Sequence, residues 1–148
     1  MEIVVLIIVL ALVFDFYNGM NDAANSIATI VSTRVLTPFQ AVAWAAFFNF
    51  VAAFAFGVSV ATMIGKGIVD VNIVDNFVIF SGIVGAVILT ASATHLGLPI
   101  SVSHAIIGGY GGAAVMKAGF GALILSGYTK VLIFIFLATV RAERPLSF

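Results

Sequence analysis

Apolar residues run along this chain in long blocks that a few polar stretches interrupt. Residues 3–14 form an unbroken apolar run, and residues 39–64 and 77–94 form two longer blocks without any charge. An α-helix rises 1.5 Å per residue, so about 20 apolar residues cross the ~30 Å hydrocarbon core of a bilayer. The pattern therefore predicts membrane-spanning helices over 39–64 and 77–94. Pro38 opens the first of them, at a position where its missing N–H costs little.

Two polar interruptions predict breaks in membrane helices. The run over 3–14 is only about 18 Å long, and a polar, glycine-containing stretch over 15–26 follows it. The second interruption is 97–104, where glycine and proline precede hydroxyl residues, and a glycine-rich segment comes next. Such stretches between apolar segments are typical of broken membrane helices. We expect a broken helix around 15–26 and a re-entrant hairpin or broken helix over 99–116, whose glycines let backbones approach.

The remaining segments predict a loop and a shortened last span. Residues 65–70 (GKGIVD) suggest an aqueous loop between two spans. Near the end of the sequence Lys130 interrupts the apolar pattern, and only residues 131–140 follow before polar residues return. Ten residues make about 15 Å of helix, roughly half a bilayer. The predicted organisation is a membrane domain over 1–140, with its last span truncated, and a short polar tail over 141–148.

Composition agrees with the membrane interpretation and excludes several functions. Only 8% of the residues are charged and 63% are hydrophobic, whereas a soluble domain carries about 25% charged residues. The net charge of zero offers no basic face for nucleic acid, and the absence of cysteine excludes disulfides and thiolate metal sites. No nucleophile–base pair and no phosphate loop of the G-x-x-x-x-G-K type indicates an enzyme. The sequence predicts an all-α, polytopic membrane protein without a cofactor.

The first polar group within apolar sequence contains Asn21, Asp22 and Asn25. On a helix, Asp22 and Ser26 are i,i+4 neighbours, as are Asn21 and Asn25. Carboxylate and amide oxygens suit a hard cation such as Na⁺, whereas amide N–H and hydroxyl groups donate to an oxyanion. An ionisable group at membrane depth costs at least ~2.5 kcal/mol, so Asp22 indicates function. For Asn18 and Ser26, a functional role and a structural role that ties helix fragments together fit equally well.

The second polar group is Ser101, Ser103 and His104, which follow Pro99. Hydroxyl residues at a helix start accompany free backbone N–H groups, and with the helix dipole these form an anion site. Ser101 also fits an N-cap, a role compatible with anion binding, and His104 fits a packed, hydrogen-bonded residue. Asp15 has two open interpretations as well, because it either faces a cavity or lies near the membrane interface.

Both groups resemble signatures of a known family. Residues 19–26 (GMNDAANS) resemble the GANDVANS signature of the inorganic phosphate transporter family (the PiT permeases), and residues 97–105 (GLPISVSHA) resemble its GLPVSTTHA signature. The two occur in the family's order, within a similarity that extends from about residue 14 to 136. The resemblance implies a secondary transporter in the plasma (inner) membrane, surrounded by lipid, that couples inorganic phosphate to Na⁺ or H⁺.

The resemblance also implies roles for individual residues. Asn21 and Asp22 would hold the coupling cation, the sole metal ion implied, and Asn25, Ser101 and Ser103 would bind phosphate. Val102 replaces a threonine of the family signature and removes one hydroxyl. Because oxyanion sites depend on individual hydroxyls, a sulfate permease of the same architecture remains an alternative.

The number of signature copies suggests one repeat of a larger transporter. Family members carry two inverted repeats, each with one Asn-Asp signature, and this sequence contains a single copy. The sequence therefore resembles the first half of a family member. Its expected partner is a second half-transporter chain or another copy of itself. The alternative is a truncated fragment that does not transport.

Overall fold

The computed structural model describes residues 1–55 and 65–142. Residues 65–67 of this part are helical, and it also contains five longer α-helices. These are α1 (Glu2–Ser32), α2 (Pro38–Ala55), α3 (Asn76–His95), α4 (Val102–Ala118) and α5 (Leu125–Ala142), with a 3₁₀ turn, Phe120–Ala122, before α5. Within these ranges, β-type pairing is limited to one bridge between Val69 and Leu123. The prediction of an all-α fold is confirmed.

Side-chain caps fix where the helices begin. Thr37 and Gln40 form a capping box at the start of α2, in which the Thr37 N–H donates to Gln40 Oε1 (3.1 Å) and the Gln40 N–H donates to Thr37 Oγ1 (3.4 Å). The Asp75 carboxylate accepts the Val78 N–H at 3.0 Å and caps α3. The predicted helix starts near Pro38 and residue 77 are therefore confirmed.

Among the described residues, two helices are long and apolar enough to cross a membrane, α1 and α3. By the helical rise, the 20 residues of α3 measure about 30 Å and the 31 residues of α1 about 46 Å. The span predicted over 39–64 is helical over Pro38–Ala55, and its residues 56–64 lie outside the described part of the chain.

The predicted break near residues 15–26 is wrong, because α1 continues without interruption from Glu2 to Ser32. A lone glycine in a helix costs only about 1 kcal/mol relative to alanine, and Gly19 has no proline beside it. The polar side chains also bond within the helix. Ser26 Oγ donates to the Asp22 carbonyl at 2.6 Å, and Asn21 Nδ2 donates to the Tyr17 carbonyl at 3.4 Å.

The predicted break over 99–116 is also wrongly placed, because α4 is an unbroken helix. The chain turns earlier, at residues 96–101, where Gly97 takes a φ of +67° that favours glycine. Pro99 lies in this turn. Helices α3 and α4 thus form an antiparallel pair, called here the α3–α4 hairpin, and residues 96–101 are its tip.

Glycines allow the two arms of the hairpin to touch through their backbones. A Cβ atom on Gly82 would lie 2.9 Å from the Tyr110 Cα, and one on Gly109 would overlap the Gly82 carbonyl oxygen. The adjacent Gly108 has no such neighbour within 4 Å. The predicted close approach is confirmed at Gly82 and Gly109, and it places small residues at a helix contact as membrane bundles do.

Away from the tip, the hairpin rests on a short apolar core. Ile68 and Val69 are fully buried, and the Ile124 N–H donates to the Ile68 carbonyl at 2.8 Å. Residues 65–70 are therefore not the predicted aqueous loop, because their apolar pair packs under α4. Lys117 Nζ forms an ion pair with Asp75 Oδ2 at 2.7 Å. The hydrogen bonds that the Asp75 carboxylate accepts from Lys117 and from the Val78 N–H lower the pKa of Asp75.

The last helix is longer than the apolar pattern indicates. Helix α5 begins at Leu125, includes Lys130 and reaches Ala142, which gives 18 residues or about 27 Å. Residues 143–148 of the predicted tail lie outside the described residues. The boundary at residue 140 stays a prediction.

The contact between Gly82 and Gly109 leads to a matched test. We expect Gly109→Ala to lower the unfolding temperature, because the new methyl group meets the Gly82 backbone. Gly108→Ala should leave it equal or raise it slightly, since alanine favours a helix by about 1 kcal/mol. Thermal unfolding of the purified protein in detergent measures both variants. Equal unfolding temperatures for the two would contradict the close contact.

Candidate functional site

The continuity of α1 aligns its polar residues on one face. Asp15, Asn18, Asp22, Asn25 and Thr29 follow one another at intervals of three and four residues, so they form a single row along the helix. We call this row the α1 polar stripe. Its ends are 14 residues, or about 21 Å, apart. The stripe crosses the middle of an otherwise strongly apolar helix.

The hairpin reaches α1 at its middle and joins it through polar contacts. Asn21, at the side of the stripe, is only 8% exposed, and its Nδ2 donates to Thr94 Oγ1 at 2.7 Å. The Tyr17 hydroxyl lies 3.4 Å from His95 Nε2, next to the tip. Tyr17 is the midpoint of Glu2–Ser32. The two elements that carry the signature-like motifs therefore meet halfway along α1.

A cavity of about 660 Å³ lies between α1 and the hairpin. Asp15 and Asn18 of the stripe line it, as do Ser103 near the start of α4 and Tyr110 two turns further along the same face. The remaining lining is mostly apolar. The sequence left open whether Asp15 faces a cavity or lies near the membrane interface, and in the structure Asp15 lines this cavity. Ser103 is the predicted phosphate ligand that the structure brings together with the stripe.

Of the other predicted site residues, Asn21 is buried, whereas Asp22, Asn25 and Ser101 lie at the protein surface. Asp22 and Asn25 continue the stripe beyond the cavity, and both are exposed. Ser101 is exposed at the start of α4, where its hydroxyl accepts the His104 N–H at 3.4 Å, as expected for an N-cap. Within the described residues, no hydrogen bond or ion pair joins Asp22 or Asn25 to Ser101 or Ser103.

The charge of the stripe is negative. Asp15 and Asp22 lie seven residues apart, or about 10 Å along the helix. In the part of the chain that the structure describes, neither Asp15 nor Asp22 forms an ion pair; the ion pair there joins Lys117 and Asp75. Two carboxylates on an apolar helix, beside amide and hydroxyl oxygens, make a surface that favours a hard cation.

The sequence left three residues of this region unassigned. Asp15 and Asn18 share the spacing of Asp22 and Asn25, a signal that becomes visible only when the helix is continuous. Thr94 is the last residue of a predicted span, and its partner Asn21 is 73 residues away along the chain. No local pattern indicates such a contact.

The position of Ser103 leads to a labelling prediction. Because the native chain has no cysteine, a single introduced thiol can be labelled selectively. We expect Ser103→Cys to react with a small water-soluble thiol reagent, since Ser103 is exposed to the cavity. Ala105→Cys, two residues further on α4 and only 4% exposed, should stay unlabelled. Equal labelling of both, measured by mass spectrometry, would contradict a water-accessible cavity.

Comparison with known proteins gives consistent matches. The model of the "Phosphate transporter family" matches residues 18–142. A protein of Rhizobium meliloti named "Probable low-affinity inorganic phosphate transporter" is 52% identical over 124 residues, which cover 84% of this chain and 37% of that protein. A Bacillus subtilis protein of the same name is 45% identical over 130 residues, covering 86% of this chain and 39% of that protein.

A solved structure agrees with the sequence matches. "The sodium-dependent phosphate transporter" superimposes with a TM-score of 0.84 at 32% identity, over 90% of this chain and 34% of that chain. This chain spans somewhat more than a third of the length of the Rhizobium meliloti and Bacillus subtilis relatives. The family match extends over most of the sequence and includes both signature-like motifs. The resemblance seen in the sequence is thereby confirmed, and this membrane protein belongs to the phosphate transporter family.

Proposed function

We propose that this chain forms one wall of the binding site of a secondary transporter that moves inorganic phosphate with Na⁺ across the plasma (inner) membrane. The observation that carries the proposal is the meeting of the α1 polar stripe with the tip of the α3–α4 hairpin at the middle of α1. Polar groups at the depth of a membrane's centre are costly, and they mark transport paths. The sodium dependence named for the structural neighbour favours Na⁺ over H⁺ as coupling ion.

The proposed mechanism rests on charge neutralisation. Asp22, with Asn21 beside it, holds the cation, and Asn25, Ser101 and Ser103 donate hydrogen bonds to phosphate. Without the cation, the Asp22 carboxylate repels the anion. With the cation bound, the site becomes attractive to phosphate, and the affinities of the two ligands are coupled. The N-terminus of α4 adds free backbone N–H groups on the anion side.

The exposed residues of the site support a partner polypeptide. Asp22, Asn25 and Ser101 are polar and exposed in a chain with a very apolar surface. They would form the other side of the phosphate site with a second half of the transporter, either another chain or another copy of this one. The exposed aromatic residues of α2, such as Trp44 and Phe47, instead suit contact with lipid.

Neutralising Asp22 tests the proposal. We expect Asp22→Asn to abolish sodium-dependent phosphate uptake in proteoliposomes of the whole transporter, because the amide no longer offsets the cation charge. Glu2→Gln is the matched control, since it removes a carboxylate at the start of the same helix, on the face opposite the stripe. Full sodium-dependent uptake by the Asp22→Asn variant would contradict the assigned role.

Competition and driving force identify the anion and the cation. We expect a tenfold or larger excess of sulfate to leave labelled phosphate uptake unchanged. A site that hydrogen-bonds one substrate can discriminate against a similar one by a larger factor than this excess. Uptake should follow a sodium gradient at constant pH. Competition by sulfate as strong as by unlabelled phosphate would assign a sulfate permease, and uptake driven by a pH gradient alone would assign H⁺.

A further inference from the structure

We infer that Thr94 is a positioning residue that holds the Asn21 amide with its oxygen free to bind the coupling cation. Thr94 lies on α3 beside the hairpin tip, outside both signature-like motifs. The inference rests on the proposed function, because it assigns the chemistry of Asn21 within the proposed cation site. The sequence left two roles open for an amide here, as an oxygen ligand of a cation or as an N–H donor to an oxyanion.

The hydrogen-bond network decides between these roles by counting protons. The Thr94 hydroxyl has one proton, and it donates this proton to the Thr90 carbonyl at 2.8 Å. In its 2.7 Å contact with Asn21, the Thr94 oxygen is therefore the acceptor and the Asn21 amide nitrogen is the donor. The Tyr17 carbonyl, 3.4 Å from the same nitrogen, also can only accept.

A rotated Asn21 amide would place its oxygen against the Tyr17 carbonyl, which can only accept, and would require the Thr94 hydroxyl to give up its bond to the Thr90 carbonyl. Its nitrogen would then lose both partners, and an unpaired buried polar group costs roughly 1–3 kcal/mol. The orientation thus follows from the partners, even though oxygen and nitrogen of an amide look alike. Thr94 and the Tyr17 carbonyl together fix which atom of Asn21 faces away from them.

The atom that faces away is the amide oxygen. Among the described residues, Asn21 Oδ1 accepts no hydrogen bond, although the side chain as a whole is only 8% exposed. No fully buried side-chain polar atom in the same part of the chain lacks a partner, so this oxygen reaches the surface. An amide oxygen accepts and cannot donate. It therefore suits Na⁺ and not phosphate.

The geometry of α3 makes Thr94 a rigid support. Its hydroxyl bonds to the carbonyl four residues earlier, which is a common anchor for threonine in a helix. Thr90, one turn before, has the same bond to the Ala86 carbonyl at 2.7 Å and is fully buried, but among the described residues its hydroxyl makes no hydrogen bond to α1. Thr90 therefore provides a matched control on the same helix.

The test compares three substitutions that nearly preserve shape. Thr94→Val removes the acceptor of Asn21, Thr94→Ser keeps it, and Thr90→Val removes a hydroxyl whose hydrogen bond stays within α3. We expect Thr94→Val to raise the sodium concentration for half-maximal phosphate uptake about tenfold, as loss of a supporting partner does at metal sites. The KM for phosphate at saturating sodium should stay unchanged, and the other two variants should match the wild-type protein.

A second measurement separates this inference from the proposed function. Sodium chloride, compared with choline chloride, should raise the unfolding temperature of the purified protein in the absence of phosphate, and Thr94→Val should reduce this rise. Wild-type protein that shows the sodium effect without sodium-driven uptake would contradict the proposed function and leave the role of Thr94 standing.

Two outcomes would overturn the role of Thr94. One is a Thr94→Val variant with wild-type sodium dependence. The other is a Thr94→Val variant in which the sodium concentration for half-maximal uptake and the KM for phosphate change by the same factor, with the same changes in Thr90→Val. That result would indicate a purely structural effect. Should Thr94→Val not fold, Thr94→Cys, with a thiol that is a weak acceptor, is measured in the same way. Unchanged sodium dependence of that variant would equally overturn the inference.

Discussion

One hydrogen bond, from the Asn21 amide to the Thr94 hydroxyl, joins the first helix to the α3–α4 hairpin. Apolar helices gain little by leaving lipid for each other, so polar contacts and close backbone packing determine how they associate. The chain uses both devices. Gly82 and Gly109 bring the arms of the hairpin together, and Asn21 with Thr94 fixes the hairpin against the middle of α1. These two contacts tie the hairpin arms to each other and the hairpin to α1.

The same hydrogen bond connects architecture with the proposed transport. It requires Asn21 to turn its nitrogen toward Thr94 of α3, so its oxygen faces away from that contact and stays available. On the neighbouring part of the stripe, Asp15 and Asn18 share a cavity with Ser103. A cation on one side and hydroxyl and N–H donors on the other give the arrangement that a symporter of an oxyanion needs, since the cation cancels the repulsion between carboxylate and phosphate.

Local sequence patterns suffice to predict the helices but not to predict where the helices are interrupted. The apolar block over 77–94 predicts α3 because length and the absence of charge suffice, and Thr37 with Pro38 predicts the start of α2 because capping is local. The polar stretch of α1 was ambiguous. Asparagine and serine end a helix or bond to its own carbonyls, and in α1 Asn21 and Ser26 bond to carbonyls of the continuing helix.

The candidate site shows the same division. Asn21 and Asp22 stand out because polar groups are rare in apolar sequence, and Ser103 stands out because it follows a proline and a glycine. Thr94 does not stand out, since a threonine at the end of a span is ordinary and its partner is distant in sequence. Ile68 and Val69 look like part of a loop between glycines, although tertiary packing buries them completely.

The central claim is that a cation near Asn21 and Asp22 makes the site attractive to phosphate. Equilibrium binding of labelled phosphate to the purified whole transporter, measured over a series of sodium concentrations at constant ionic strength, tests this most directly. The account predicts that phosphate affinity rises with sodium, and that phosphate raises sodium affinity by the same factor, since coupling free energy is reciprocal. Phosphate affinity that does not change with sodium would contradict it.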